Sequence, residues 1–322
     1  MNKPQSFTDH PAVASVSNMV KMRYAAKQLT GFPNIIARQM LAGGHKSRFR
    51  GRGMDFDEVR IYQPGDDVRN IDWRVTARTL EPHTKVFREE RERPILIITD
   101  LRSAMFFGSQ RLKSITTCEA SAALAWAGLA ANDRVGGLIF GQQEQVEIKS
   151  RRSHHTVLEF IHQLQDYSAH LLNPKPDRYS LSAMLEESRR FALPGTTLFA
   201  VSDFHDLDQE CERHLFELGR HCDLNFCHIY DDIETHLPPP GLYGVSDGNR
   251  QVLLDARNQK LRHRFEQAFI ERSQKLKKLS EQLSAGLLSF GNHDNVMSTL
   301  ARAYGKKRKG TRVSNRTSQN GQ

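Results

Sequence analysis

Residues 95–100 read Ile-Leu-Ile-Ile-Thr-Asp, a short apolar run that ends in a carboxylate. Consecutive apolar residues without polar alternation are typical of a strand buried on both faces, as at the centre of a parallel sheet. Residues 197–203, Thr-Leu-Phe-Ala-Val-Ser-Asp, repeat the pattern and also end in aspartate. The two stretches predict central strands of an α/β sheet. They place Asp100 and Asp203 at its carboxyl edge, where such sheets bind ligands.

Around these two strands, apolar runs alternate with amphipathic segments of helical period. The periodicity predicts helices over residues 111–131, 156–164, 181–191, 209–219, 257–283 and 294–303. It predicts further strands over residues 135–140, 145–149, 223–230 and 285–290, and a hairpin over residues 242–254. Strands alternating with helices indicate a doubly wound, mostly parallel sheet with right-handed crossovers. The fold class is therefore α/β.

The remainder of the chain divides by composition into three further parts. We expect a helical arm over residues 1–44, with Ser15 or Ser17 as the first helix cap and a second short helix over residues 34–42. Residues 45–94 form a small β-rich segment, with a strand over 58–62, a turn at 63–66, and a hairpin that pairs 73–78 with 84–89. The α/β domain then covers residues 95–304, and a tail covers residues 305–322.

The net charge of +9 is concentrated at the C-terminal end of the chain. Lys and Arg number 46 against 37 Asp and Glu, and six of the basic residues follow Gly305 with no acidic residue among them. Subtracting those six from +9 leaves +3 for the first 304 residues. A basic tail rich in Ser, Asn and Gln cannot bury a core, so we expect it to be disordered. The near-balanced charge of the first 304 residues makes nucleic acid an unlikely partner of that part of the chain.

Composition also limits the cellular setting. No stretch approaches the roughly 18–20 consecutive apolar residues of a membrane span, and no secretory core follows Met1. The four cysteines form no Cys-x-x-Cys pair. These features predict a cytoplasmic protein with reduced thiols and without a membrane span.

Two strings resemble catalytic motifs but lack the required context. Residues 244–248, Gly-Val-Ser-Asp-Gly, match the nucleophile elbow of hydrolases, yet a strand-like run follows them where the motif needs a helix. Residues 44–47, Gly-His-Lys-Ser, resemble the end of a phosphate loop, but no apolar strand precedes them. We therefore expect no catalytic residues and a protein that is not an enzyme.

The end of the first apolar strand resembles the metal site of the von Willebrand factor A fold in a degenerate form. That fold holds a divalent cation with Asp-x-Ser-x-Ser after one strand and an aspartate after a later strand. Here Asp100 and Asp203 are present, Arg102 and Ala104 replace the two serines, and Ser103 lies one place out of register. An arginine repels a cation. We expect Arg102 to place its guanidinium between Asp100 and Asp203 instead of magnesium, so that no cofactor is bound.

Two alternatives stay open for these residues. The carboxylates could still hold magnesium, since hard oxygen ligands suit that ion, and could then support a metal-dependent hydrolase. They could also do no more than cap helices or turns.

Residues 51–78, GRGMDFDEVRIYQPGDDVRNIDWRVTAR, closely resemble the signature of the domain of unknown function 58 family. Residues 89–100 and 133–137 fit the same family, and the resemblance extends from about residue 20 to 305. Membership implies a von Willebrand factor A-like domain and an association with MoxR-type AAA+ ATPases. The implied function is a non-catalytic interaction module, an adaptor or co-chaperone in the maturation of other proteins. Other von Willebrand factor A proteins are a second class of implied partner.

The signature also has a physical interpretation. Phe56, Val59, Tyr62, Ile71 and Trp73 are predicted to form a small apolar cluster. The polar residues provide either a structural ion network or a partner-binding surface, and Trp with Arg suits an interface hot spot. The candidate interaction residues are Arg60, Tyr62, Gly65, Asp66, Asp67, Arg69, Asp72, Trp73 and Arg78. Weak RNA binding through the basic tail is a further alternative.

Overall fold

The structure, a computed structural model, describes residues 10–29, 32, 54–89, 94–246 and 251–305. The chain divides into two compact units, one of Met1–Gln39 with Pro94–Gln322 and the other of Met40–Arg93. The second helix expected over residues 34–42 and the tail after residue 305 lie outside the described residues.

In the larger unit, the described strands and helices alternate as the periodicity predicts. The strands are β3 Pro94–Asp100, β4 Arg134–Phe140, β5 Gln145–Arg151, β6 Thr197–Ser202, β7 Asp223–Tyr230, β8 Leu242–Ser246, β9 Gln251–Asp255 and β10 Gly286–Gly291. The helices are α1 Val16–Ala26, α3 Lys113–Ala130, α4 His154–His170, α5 Leu181–Ser188, α6 Gln209–Gly219, α7 Asp232–Thr235, α8 Gln259–Gln282 and α9 Val296–Tyr304.

Six of the described strands form the central sheet, in the order β10-β7-β6-β3-β4-β5. All neighbours pair in parallel except β4 and β5, which pair antiparallel at one edge. The mixed α/β fold with a mostly parallel sheet is therefore confirmed. Since β4 lies on one side of β3 and β6 on the other, the winding reverses at β3 and β6. Such a reversal opens a crevice at the carboxyl ends of the two strands.

The two faces of the sheet bury separate cores because successive side chains of a strand point to opposite faces. Ile95 and Ile97 lie in a core with α1, α3, α4 and α9. Leu96 and Ile98 lie in a second core with α5, α6 and α8. The continuous apolar run of β3 therefore reflects burial on both sides.

The first helix belongs to this larger unit. Ser15 caps it by accepting a hydrogen bond from the Asn18 amide. The buried Trp126 indole of α3 donates to the Met19 carbonyl at 3.0 Å. No helix in the described ranges has the length and apolar character needed to cross a bilayer.

The smaller unit contains β1 Met54–Ile61, helix α2 Trp73–Thr79 and β2 His83–Glu89 among its described residues. β1 pairs antiparallel with β2, with a bulge between residues 56 and 58. The expected strand over residues 73–78 is wrong, because that stretch is α2. Asp72 accepts hydrogen bonds from two amides of the first turn, and Leu80 ends the helix in a left-handed conformation, φ 60°. These end signals outweigh the strand-like alternation.

Candidate functional site

The carboxyl ends of β3 and β6 meet at the crevice where the winding of the sheet reverses. Asp100 is the last residue of β3, and Asp203 follows β6 directly. The Ser202 hydroxyl donates to Asp100 at 2.7 Å and joins the two strand ends. Both carboxylates are almost fully buried. A buried carboxylate must be paired, so the neighbouring cations decide what this site can do.

Arg102 follows β3 closely and is only 2% exposed. Its guanidinium binds the Asp100 carboxylate with Nε at 3.0 Å and Nη2 at 2.8 Å. It binds the Asp206 carboxylate with Nη1 at 2.7 Å and Nη2 at 3.0 Å, and the Tyr179 carbonyl with Nη1 at 3.3 Å. All five N–H donors of the guanidinium are therefore used.

The charge state of this cluster is fixed by its geometry. Burial by itself lowers the pKa of Arg102, but the charges of Asp100 and Asp206 and their hydrogen bonds raise it above its ordinary value. For Asp206, burial by itself raises the pKa, but the hydrogen bond and charge of Arg102 lower it below its ordinary value. Arg102 and Asp206 therefore keep their charges as an ion pair.

Lys113 begins α3 and is only 1% exposed. Its ammonium donates to Asp203 at 2.7 Å and to Glu234 of α7 at 2.8 Å. The Nζ atom also lies 5.7 Å from the centre of the Phe107 ring. Burial by itself lowers the pKa of Lys113, but the charges of Asp203 and Glu234 raise it above its ordinary value. The lysine is held as a cation, so it is a poor nucleophile or base.

His205 lies between the Arg102 cluster, formed with Asp100 and Asp206, and the Lys113 cluster, formed with Asp203 and Glu234. Its Nδ1 atom lies 2.8 Å from Asp203 and 3.8 Å from Asp206. The hydrogen bond to Asp203 raises the pKa of His205 against the opposing effect of burial. For Asp203, burial raises the pKa, but the His205 hydrogen bond and the Lys113 charge lower it well below its usual range.

The position expected for Arg102 is corrected by this geometry. Arg102 does pair with Asp100, as expected, but its second carboxylate is Asp206 and not Asp203. Asp203 is neutralised by Lys113 instead. The reason is that Asp203 leaves β6 beside α3, whereas Asp206 returns three residues later and also accepts the Leu181 amide of α5.

The remaining residues of the degenerate motif lie beside this network. Ser103 lies on a short 3-10 turn with Ala104, and its hydroxyl donates to Asp177 at 2.9 Å. Gln142 donates to the Ser103 hydroxyl at 2.8 Å. Ser103 therefore connects neighbouring loops, and its hydroxyl is directed at Asp177 and not at Asp100 or Asp203.

The donor set does not fit a magnesium ion. Magnesium needs octahedral oxygen ligands, whereas two side-chain cations already occupy the oxygens of Asp100, Asp203 and Asp206. Among the described residues, no group of three or more His, Cys, Asp or Glu has an arrangement suited to a metal. A divalent ion would have to displace a buried lysine or arginine.

Sequence reasoning missed Lys113, Asp206, His205 and Glu234. The available signals were a lysine at the start of an otherwise Ala-rich helix and three acidic residues within 203–208. Both are compatible with a solvated surface, since a charge run gives no information on burial.

In the smaller unit, several signature residues form a local turn. Arg60 binds Asp66 at 2.8 Å, and Asp66 also accepts the Gln63 amide at 2.9 Å. Gly65 has φ 102°, as the third residue of a type II turn requires. The Tyr62 amide donates to the Pro82 carbonyl at 2.8 Å and ties this turn to the chain before β2.

The other signature residues surround α2. Asp67 caps a 3-10 turn over Val68–Asn70, and Asp72 caps α2 and lies 3.4 Å from Lys85. Trp73 is 70% exposed, which corrects the expectation that it joins an apolar cluster. Arg69 and Arg78 are also exposed. The Phe56 side chain expected in that cluster lies outside the described part of the chain.

Comparison with known proteins gives relatives without an assigned function. Uncharacterized proteins of Mycobacterium tuberculosis and Mycobacterium bovis are 35% identical over 126 residues. The match covers 38% of this chain and 40% of each relative, so the chain spans well under half of their length.

Two solved structures are similar at low identity. One is the conserved hypothetical protein BatB from Bacteroides thetaiotaomicron, with a TM-score of 0.42, 10% identity, and coverage of 65% of this chain and 96% of that chain. The other is an aerotolerance-related membrane protein from Bacteroides fragilis, with a TM-score of 0.37, 12% identity, and coverage of 66% and 96%.

The family model for the protein of unknown function DUF58 matches residues 58–275. That range includes the end of β1, the signature turn and α2. It also includes both strand ends and every charged residue of the Arg102 and Lys113 clusters. The chain therefore belongs to the DUF58 family.

Proposed function

We propose that this protein is a non-catalytic interaction module that serves as an adaptor or co-chaperone of a MoxR-type AAA+ ATPase. Membership of the DUF58 family supports the proposal, because the signature resemblance implies this association. A von Willebrand factor A-like fold of the larger unit is part of the same proposal. It is supported by the parallel sheet with one antiparallel edge strand and by the strand-end position of Asp100 and Asp203.

The observation that carries the non-catalytic part is the neutralised carboxyl edge. A general acid needs a carboxyl group whose pKa is raised towards the working pH. The pKa values of Asp203 and Asp206 are lowered instead. The side chains that would react or hold a metal are thus committed to internal ion pairs.

We place the adaptor in the cytoplasm. All four cysteines lie in described segments as buried free thiols. Burial raises the pKa of Cys211 to about 12 and that of Cys222 to about 11, which keeps both thiols protonated and unreactive. Unreactive reduced thiols fit a reducing compartment.

An affinity pull-down tests the adaptor role. The tagged full chain is the bait, the lysate comes from the same organism, and non-hydrolysable ATP analogue traps the ATPase in its assembled state. We expect mass spectrometry to identify a MoxR-type ATPase that an unrelated tagged protein of similar charge does not recover. Recovery of no AAA+ ATPase by the wild-type bait would refute the proposal.

A further inference from the structure

We propose that the exposed face of α2 is a docking surface for an acidic segment of a partner protein that also carries an apolar side chain. The inference rests on the proposed interaction function and specifies the surface and the chemistry of its partner. It concerns the smaller unit alone, and it follows from the burial and pairing of the side chains on and beside α2.

The apolar part of the surface is a short stripe along α2. Trp73 and Ala77 are four residues apart, which places them on one side of α2, and Leu80 follows directly after the helix end. All three are exposed, Trp73 by 70% and Leu80 by 90%. Leu80 also has the left-handed conformation at the helix end, which is uncommon for residues other than glycine. Large apolar residues displayed together in this way mark interaction sites.

Arginines border the stripe. Arg74 and Arg78 are one turn apart on α2, and Arg69 lies on the 3-10 turn before it. All three are exposed, and within the described ranges their guanidinium groups form no ion pair. These arginines are therefore available to a partner.

Three of the four acidic residues between Arg60 and His83 are directed to partners other than these arginine side chains. Asp72 faces the helix amides and Lys85, Asp67 faces the amide of Arg69, and Asp66 faces Arg60. Glu81 after the helix end is exposed, so the three exposed arginines outnumber the exposed carboxylates of this stretch. The local composition is balanced in charge, yet the displayed face of α2 is cationic.

The chemistry of the face favours an acidic protein segment over a lipid surface. Trp and Arg are enriched at protein interfaces and dominate their hot spots, whereas Lys is depleted there. Arginine binds carboxylates in a planar, two-point geometry that lysine cannot provide. A stripe of about two helical turns with one large anchor fits a short amphipathic peptide, with glutamate or aspartate placed against Arg74 and Arg78.

Binding of the purified full chain to a MoxR-type ATPase of the same organism, trapped with nucleotide, provides the first measurement. The variants are Trp73→Ala and the pair Arg74→Glu with Arg78→Glu. The matched control is Lys260→Glu with Arg264→Glu, an equal charge change at the same spacing on exposed positions of α8. We expect each α2 variant to lose at least tenfold in affinity and the control to stay within twofold. Circular dichroism and thermal melting verify folding.

A second measurement tests binding to the α2 surface without the ATPase. The probe is a synthetic helical peptide of Glu and Leu, with a Lys-for-Glu version and vesicles containing phosphatidylglycerol as comparisons. We expect the acidic peptide alone to bind, with dependence on Trp73 and Arg74. If wild type fails to bind the ATPase but binds this peptide, the adaptor proposal falls and the surface stands.

Three outcomes would overturn the inference. In the first, the ATPase binds wild type and the α2 variants equally, which leaves the adaptor role intact. In the second, the vesicles bind in a Trp73-dependent manner while the acidic peptide does not. In the third, neither the ATPase nor the acidic peptide binds the wild-type chain.

Discussion

At the residue scale, the chemistry at the carboxyl ends of β3 and β6 depends on how two side-chain cations pair with the carboxylates there. Arg102 uses every donor on Asp100, Asp206 and a carbonyl, and Lys113 joins Asp203 to Glu234. A saturated guanidinium has no donor left for the carboxylate of a partner.

Replacement of Lys113 by methionine tests how much this ion network contributes to the free energy of unfolding. It leaves Asp203 buried without its lysine, and removing one member of a buried ion pair costs about 3–5 kcal/mol. We expect a decrease of that size in the free energy of unfolding at pH 7, measured by urea denaturation. The exposed Lys260→Met serves as control and is expected to change it by less than about 0.5 kcal/mol. A loss below about 1 kcal/mol for Lys113→Met would contradict the network.

Titration of His205 gives a pH dependence of known sign. Its pKa is raised above the ordinary 6.5 by Asp203, so the folded state binds its proton more tightly than the unfolded chain does. The stabilisation is complete below pH 6.5 and is lost as the pH rises through the raised pKa.

Comparison of wild type with His205→Asn measures this effect, since asparagine keeps a donor without a titrating charge. We expect the stability advantage of wild type to shrink between pH 6 and pH 9. An advantage that is constant or grows over this range would show that His205 does not titrate as the geometry indicates.

Magnesium binding provides a third test at this scale. Wild type is expected to show no saturable heat of binding in calorimetry, because a divalent ion must displace Lys113 or Arg102. Arg102→Ser removes one cation and exposes the Asp100 and Asp206 oxygens, so we expect magnesium to raise the melting temperature of this variant alone. Saturable micromolar binding to wild type that is lost in Asp100→Ala would overturn this view.

At the element scale, close contacts between helices and the sheet position the strand ends. Gly137 of β4 faces α4 so closely that a Cβ atom at this position would lie 2.4 Å from Cε2 of Phe160. The absence of a side chain lets Phe160 pack directly on the sheet. The same helix-on-sheet layers hold β3 and β4 in parallel register and so fix where Asp100 emerges.

Gly137→Ala is expected to lower the free energy of unfolding by about 1–3 kcal/mol, because overpacking a rigid core strains its neighbours. Gly244→Ala is the matched control, since nothing lies within 4 Å of a Cβ atom there. Adding Phe160→Leu to Gly137→Ala is expected to recover part of the loss by removing the ring. Equal stability of Gly137→Ala and wild type in urea denaturation would contradict this packing.

At the scale of the whole molecule, charge is distributed unevenly. Six basic residues follow Gly305, while the preceding 304 residues carry +3. Contacts with phosphate release counterions, so retention on RNA depends steeply on salt.

Deletion of residues 305–322 separates the tail from the folded units. The alternative of RNA binding through the tail predicts that the full chain binds single-stranded RNA with a log–log salt slope no steeper than about −4, the limit for six contacts. The truncated chain is expected to lose this retention and to keep its binding to the ATPase. RNA binding that survives the truncation, measured by fluorescence anisotropy, would assign it to the folded units.

Local pattern was sufficient for most of the fold. The two apolar runs at 95–100 and 197–203 became neighbouring central strands, and the predicted helices of the α/β domain begin within two residues of the expected starts. The strand expected over residues 73–78 failed because alternation in a six-residue stretch is a weak signal. The Asp72 cap and the Leu80 end conformation decided for a helix.

What the sequence alone determined is the order of strands and helices and the presence of carboxylates at two strand ends, because hydrophobic period and turn residues act locally. Only the tertiary structure decided that Arg102 takes Asp206, that Lys113 takes Asp203, and that Trp73 is exposed. The two ion pairs depend on which elements become neighbours across 90 or more residues of chain. Pairing and burial at that range follow from the sheet order and helix packing, which no local pattern contains.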